Sequence, residues 1–186
     1  EESDKVPFVL MTITNNTGGG QPVSMDNLKK VKELCTQYNK MFLLDACRFA
    51  ENAWFVSQRE DDYKDIEIRD ITKEAFRLAD GCTISLKKDG FGNIGGVLAL
   101  NDDTLAEAAR NLLILTEGFP TYGGLAGRDL DALAQGLKEI TDRNYLEYRA
   151  RSISYLGEKA LSYGIPVVQP AGAVSYTHLR AHETFA

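Results

Sequence analysis

Apolar positions along the chain fall into short continuous runs separated by stretches in which they recur every three or four residues. Val6-Pro-Phe-Val-Leu-Met-Thr-Ile-Thr14 is a β-branched run ending in Asn15-Asn16-Thr17-Gly18-Gly19-Gly20, the pattern of a buried strand entering a glycine-rich turn. Ser24 can cap a helix in which Leu28, Val31, Leu34, Cys35 and Tyr38 share one face and which ends near Asn39. Met41-Phe-Leu-Leu44 is a second short run, stopped by Asp45. Ile68, Ile71, Ala75 and Leu78 predict a helix within 66–78, followed by strands over Cys82-Thr-Ile-Ser85 and Gly95-Gly96-Val-Leu-Ala-Leu100. Asn101-Asp102-Asp103 caps another helix. Leu130, Leu133, Leu137 and Ile140 mark a long helical region expected to continue through Leu146, Ile153 and Leu156. Strands alternating with helices imply an α/β fold, a mostly parallel sheet with flanking helices.

Composition narrows the class without changing that picture. At 186 residues, with 44% hydrophobic and 26% charged residues, the chain suits one sizeable globular domain. Its net charge is −6 and its 21 basic residues are scattered among acidic ones, so a nucleic-acid footprint is not expected. Cys35, Cys47 and Cys82 form no Cys-x-x-Cys pair, which disfavours a zinc site or a disulfide framework and points to reduced thiols. The apolar runs are far shorter than the roughly 20 residues a membrane span needs, and no signal-peptide pattern opens the chain, so a soluble cytoplasmic protein is expected.

The tail reads differently from the rest. His178 and His182, the chain's two histidines, lie four residues apart in Val174-Ser-Tyr-Thr-His-Leu-Arg-Ala-His-Glu-Thr184. That string resembles one reading frame of a transposase adaptor used in DNA sequencing libraries. Residues 174–186 are therefore set aside as adaptor-derived, with no metal site assigned to the histidine pair. The remaining 1–173 contains no histidine, which removes Ser-His-Asp and Cys-His catalysis from this segment.

Ligands of open α/β sheets bind beyond the carboxyl ends of the strands. Here those ends deliver Asn16 with its glycines, then Asp45 with Arg48 one turn later, then Ser85, Lys87, Lys88 and Asp89. A carboxylate, a guanidinium, a hydroxyl and a lysine suit a cofactor with a ring nitrogen, a phenolic oxygen, a phosphate and an aldehyde, as in pyridoxal phosphate (PLP). Plainer readings stand beside this one. Asp45 also suits a turn or a helix cap, and Arg48 a surface ion pair. Lys87-Lys88-Asp89-Gly90 also reads as a solvated charged turn, and the glycine run as a connector without P-loop or dinucleotide spacing.

Five colinear motifs carry a family resemblance. Thr14-Asn-Asn-Thr-Gly-Gly-Gly-Gln-Pro-Val-Ser24, Asp45-Ala-Cys-Arg-Phe-Ala-Glu-Asn52, Ser85-Leu-Lys-Lys-Asp89, Asn93-Ile-Gly-Gly96 and Glu117-Gly-Phe-Pro-Thr-Tyr-Gly-Gly-Leu125 are similar, in order, to motifs of the tryptophanase and tyrosine phenol-lyase family. The resemblance runs from about Val6 to Gly172. It implies that 1–173 is part of the large PLP-binding domain of an aspartate aminotransferase-like (fold type I) enzyme. It further implies that Lys88 is the lysine bonded to the cofactor aldehyde and that Asp45 pairs with the ring nitrogen. Arg48 and Asn16 would face the phenolic oxygen, Ser85 would contact the phosphate, and Lys87 would join an active-site hydrogen-bond network. Tyr122 matches a family tyrosine near the active site, and the Asn93 carbonyl a potassium-ligand position.

The implied activity is β-elimination from an aromatic amino acid, yielding pyruvate and ammonia, in a homotetramer with no nucleic-acid or membrane partner. Asp45-Ala-Cys-Arg-Phe-Ala-Glu-Asn and Thr12-Ile-Thr-Asn-Asn are closer to tryptophanases. Gly81-Cys-Thr-Ile-Ser and Gly124-Leu-Ala-Gly-Arg-Asp are closer to tyrosine phenol-lyases, so tryptophan is preferred and tyrosine is the alternative. A threonine-aldolase-like enzyme shares the Asp-x-x-Arg strand end but not the full motif series. A different class of reading is a noncatalytic fragment, because the family's upstream and downstream parts supply the ring-stacking residue and the closing small domain.

Overall fold

The structure, a computed structural model, describes residues 5–119 and 124–173. Its elements are β1 (Phe8–Thr12), α1 (Met25–Gln37), β2 (Met41–Asp45), α2 (Phe49–Arg59), α3 (Ile68–Leu78), β3 (Gly81–Ser85), β4 (Gly96–Leu100), α4 (Asp103–Glu117), α5 (Gly127–Glu139) and α6 (Arg143–Ser162). A single 3₁₀ turn at Asp61–Tyr63 joins α2 to α3. The four strands lie side by side in the order β1-β2-β3-β4. β1, β2 and β3 are parallel, with Thr12 beside Asp45 and Asp45 beside Thr83. β4 returns antiparallel, placing Gly96 beside Ser85. The carboxyl ends of the first three strands thus share one edge of the sheet with the start of β4, and the expected mostly parallel α/β architecture holds.

Local chemistry accounts for the helix boundaries. Ser24 caps α1 by accepting the Asn27 N–H at 3.1 Å, and α1 ends before Asn39, whose φ of 49° breaks the helical path. Asp102 is the residue of the 101–103 trio that caps α4, accepting the Leu105 N–H at 2.8 Å. The helix expected to run unbroken from Leu130 to Leu156 is two helices. Ile140 closes α5 with its side chain fully buried, and Asp142, extended at ψ 123°, caps α6 by accepting the Tyr145 N–H at 2.8 Å. Apolar spacing continues across this break, so periodicity could not reveal it.

The core is built from Ile13, Met25, Leu28, Phe42, Leu44, Ile68, Ile71, Ile140 and Leu146, each no more than 1% exposed. Burying side chains of this size stabilises by roughly 1.5–3 kcal/mol apiece. α2 lies inside this core, with Phe49, Ala50, Ala53, Phe55 and Val56 buried together with the polar Glu51, Asn52 and Ser57. α4 differs: it has no buried residue, and Leu105, Leu112, Leu113 and Leu115 are exposed along it. No helix among the described residues is long and apolar enough to cross a membrane.

Candidate active site

Three backbone crossings tie the strand ends together at one edge of the sheet. The Ile13 N–H donates to the Asp45 carbonyl at 2.9 Å, the Arg48 N–H to the Ile13 carbonyl at 3.2 Å, and the Ala46 N–H to the Thr83 carbonyl at 2.8 Å. These bonds hold the chain leaving β1, the Asp45–Arg48 turn and the end of β3 in fixed register. Asp45 is half-buried, and its Oδ2 accepts a long 3.4 Å hydrogen bond from the Thr12 hydroxyl. Its Oδ1 is buried without a hydrogen-bond partner. Cys47 lies between Asp45 and β3, its sulfur accepting the Ser85 N–H at 3.2 Å. Burial, and then the hydrogen bond to Asp45, push the Cys47 thiol up from its ordinary value, so it sits here as a neutral thiol.

Lys88 follows β3 in a turn in which its N–H donates to the Ser85 carbonyl and its carbonyl accepts the Phe91 N–H. Its side chain is half-buried and its charge reaches Cys47. Lys87 is exposed. The next residue, Asp89, is 1% exposed and performs a task the motif alone does not announce. α2 begins at Arg48 without a side-chain cap of its own. Asp89 reaches across and accepts the Ala50 N–H at 2.8 Å and also the Glu51 N–H, capping α2 from a different loop. Burial first, and then the Glu51 charge, push its carboxyl up to about 7. The bond from the Asp89 N–H to the Cys47 carbonyl, at 3.4 Å, closes the link between the lysine turn and the Asp45–Arg48 turn.

The lysine turn is also braced from behind. A Cβ at Gly136 would collide with the Gly90 carbonyl, so glycine there lets α5 lie directly on the turn. Phe91, held at φ 57°, packs edge-to-face on Tyr145 of α6 with centroids 4.9 Å apart. Around Asn16 the glycines have a comparable use. Gly20, at φ 72°, would place a Cβ 2.6 Å from the Ala173 carbonyl oxygen. The Ala173 N–H donates to the Gly20 carbonyl at 2.7 Å, and Gln21 Nε2 to the Pro170 carbonyl at 2.6 Å. The run is a close-packed seam for residues 168–173 and not a free connector.

The structure therefore brings Asp45, Arg48, Ser85 and Lys88 to one edge, with the loop residues Asn16 and Asn93 on that same side and both exposed. Tyr122 lies outside the described residues, as do 174–186 with His178 and His182. Cys35, Cys47 and Cys82 are free thiols. Sequence reasoning had missed Cys47, Glu51 and Arg149 as site neighbours. The first two stand inside the Asp45–Asn52 motif, whereas Arg149 is 98 residues from Glu51 and carried no signal along the chain.

The chain has clear relatives among known proteins. The beta-eliminating lyase family model matches residues 1–185. A tryptophanase of Hyphomonas neptunium is 61% identical over 172 residues, covering 92% of this chain and 38% of the relative. A tyrosine phenol-lyase of Symbiobacterium sp. is 47% identical over 170 residues, covering 91% of this chain and 37% of the relative. The chain thus spans less than two-fifths of the length of these relatives. Among solved structures, an Exiguobacterium protein described as an aromatic amino acid beta-eliminating lyase/threonine aldolase superposes with a TM-score of 0.65 at 18% identity, over 91% of this chain and 43% of its own. An L-allo-threonine aldolase described from Listeria monocytogenes gives 0.61 at 24% identity, over 91% and 42%. At these identities the two structures speak to the fold alone.

Proposed function

The chain belongs to the beta-eliminating lyase family, and from that premise we propose that it is the cofactor-holding segment of a PLP-dependent carbon–carbon lyase acting on aromatic amino acids, tryptophan in preference to tyrosine. The observation that carries this reading is the Asp45 carboxylate, fixed at the end of β2 with one buried oxygen lacking any hydrogen-bond partner. A buried acceptor left open costs free energy unless a donor completes it, and a protonated ring nitrogen is such a donor. Lys88 on the neighbouring strand end suits the cofactor aldehyde, and Ser85 beside it suits the phosphate.

When bound, PLP would supply a cationic ring that takes up the electron pair released as a substrate Cα–H bond breaks. The chain's own residues do the rest. Asp45 would keep the ring nitrogen protonated, and Arg48 with Asn16 would face the phenolic oxygen. Lys88 Nζ would hold the aldehyde and, once freed from it, would be the nitrogen that accepts the α-proton. Lys87 would join the surrounding hydrogen-bond network, and Tyr122 is assigned, by its match to the family tyrosine, to the neighbourhood of the active site. The Asn93 carbonyl is assigned as one oxygen donor to a potassium ion. Tryptophan is placed ahead of tyrosine because the tryptophanase relative is 61% identical and the tyrosine phenol-lyase relative 47%. Turnover and tetramer assembly are assigned to the family-length protein. The 186 residues alone are expected to give no pyruvate from tryptophan.

The test is borohydride reduction of the family-length protein carrying this segment, after reconstitution with PLP, followed by peptide mapping. The adduct is expected at Lys88, and mapping to another lysine, or to none, would overturn the assignment. Indole release from tryptophan, compared with phenol release from tyrosine, then reads the substrate.

A further inference from the structure

Next to Arg48 lies a chain of buried and half-buried charge that the proposed chemistry does not use. Glu51, 5% exposed, is the third residue of α2 and stands one turn after Arg48. Its Oε1 is held by Arg149 of α6, with Nε donating at 2.6 Å and Nη2 also at 2.6 Å. Arg149 is fixed in turn by Tyr145, whose hydroxyl accepts from Nη1 at 3.1 Å and whose ring lies 5.9 Å from the guanidinium carbon. The second oxygen of Glu51, Oε2, is buried without a hydrogen-bond partner and lies 3.9 Å from Arg48 Nε, inside ion-pair range. Asp89, the other buried acid among the described residues, spends its carboxylate on the N–H groups of α2. Glu51 therefore has one oxygen anchored to α6 and one directed to the site arginine.

Burying a carboxylate between two guanidiniums is poor evidence for stability, because apolar side chains of similar volume serve as well or better. What such a pair does supply is a fixed direction. A guanidinium on a flexible stem loses little further freedom on meeting a ligand if its orientation is already set. We propose that Glu51 is a positioning residue: anchored by Arg149 of α6, it holds the Arg48 guanidinium oriented toward the crevice at the strand ends. The inference rests on the reading above, in which Arg48 faces the ring oxygen of PLP. It adds that the grip depends on α6, nearly a hundred residues further along the chain.

The experiment is a double-mutant cycle in the family-length protein carrying this segment, read as the PLP dissociation constant from the visible absorbance of the bound cofactor. Glu51→Gln is expected to weaken PLP binding by roughly tenfold, in the range of couplings between contacting charged groups. In an Arg48→Gln background the same change is expected to cost less than about twofold. A full tenfold loss persisting without Arg48 would assign Glu51 a merely structural place and overturn the proposal, as would unchanged affinity in the single variant. Arg149→Lys, which keeps a cation for Glu51, is expected to stay within about threefold of the unaltered protein, and Arg149→Met to match Glu51→Gln. If Glu51→Gln fails to fold, the Arg149→Met and Arg48→Gln cycle decides by the same criterion. Absence of a visible band in the unaltered protein, or a borohydride adduct away from Lys88, would sink the function reading instead, so the two failures are separable.

Discussion

Asp89 offers the sharpest test of how the lysine turn is built, because two substitutions separate its hydrogen bonds from its charge. Asp89→Ala removes the acceptor of the Ala50 and Glu51 N–H groups in a fully buried setting. Loss of an N-cap costs about 1 kcal/mol, and stranding buried donors adds about 1–3 kcal/mol, for a total of about 2–4 kcal/mol. Asp89→Asn keeps an acceptor at the same reach and removes only the charge. Burial, and then the nearby Glu51, raise the Asp89 carboxyl to about 7, above its value in the unfolded chain. A carboxyl raised in the folded state binds its proton there while the unfolded chain has released it, so its stabilising contribution is present below about pH 4 and is lost as the pH climbs to about 7. The loss across that window is about 4 kcal/mol at the upper limit. Urea denaturation of the chain at pH 4.5 and pH 7.5 should therefore find Asp89→Ala well below Asp89→Asn at both values. The unaltered chain should lose ground to Asp89→Asn on going from pH 4.5 to 7.5. Equal stability of the two variants would refute the cap, and a parallel pH response of Asp89→Asn and the unaltered chain would refute the buried charge.

Two further outcomes follow from the packing. Gly136→Ala places a methyl group against the Gly90 carbonyl and should destabilise by about 1–3 kcal/mol, as overpacking does, with faster amide exchange at Phe91 and Gly92 as the local readout. Asn52 is 2% exposed and bridges Val23 on both sides, its Oδ1 accepting the Val23 N–H at 2.8 Å and its Nδ2 donating to the Val23 carbonyl at 3.0 Å. Asn52→Ala should cost about 2–4 kcal/mol by thermal or urea denaturation, and a loss under about 0.5 kcal/mol, the scale of an ordinary surface change, would show the bridge to be dispensable.

What the amino-acid pattern disclosed and what it hid divide along one physical line. α1 and α3 were legible because each buries one stripe, Met25, Leu28 and Cys35 in the first and Ile68, Ile71, Thr72 and Ala75 in the second. α2 was not, because it is buried nearly all round and three of its inward positions are Glu51, Asn52 and Ser57. A helix without a polar face has no 3.6-residue contrast to detect, and buried polar groups blur what remains. The same property that concealed it fits it to the crevice. Arg48 opens α2, Glu51 turns inward from its first turn, and its backbone donors receive Asp89 from the lysine turn. The strand ends could be read directly from the sequence because each closes a short apolar run, so Asp45, Ser85 and Lys88 fell together without any knowledge of tertiary contacts. The charges ranged behind Arg48 could not, since Arg149 meets Glu51 only after the chain has passed through α3, β3, β4, α4 and α5. Local pattern thus locates the atoms proposed to do chemistry, while the orientation proposed for Arg48 depends on a long-range charge pair that no periodicity records.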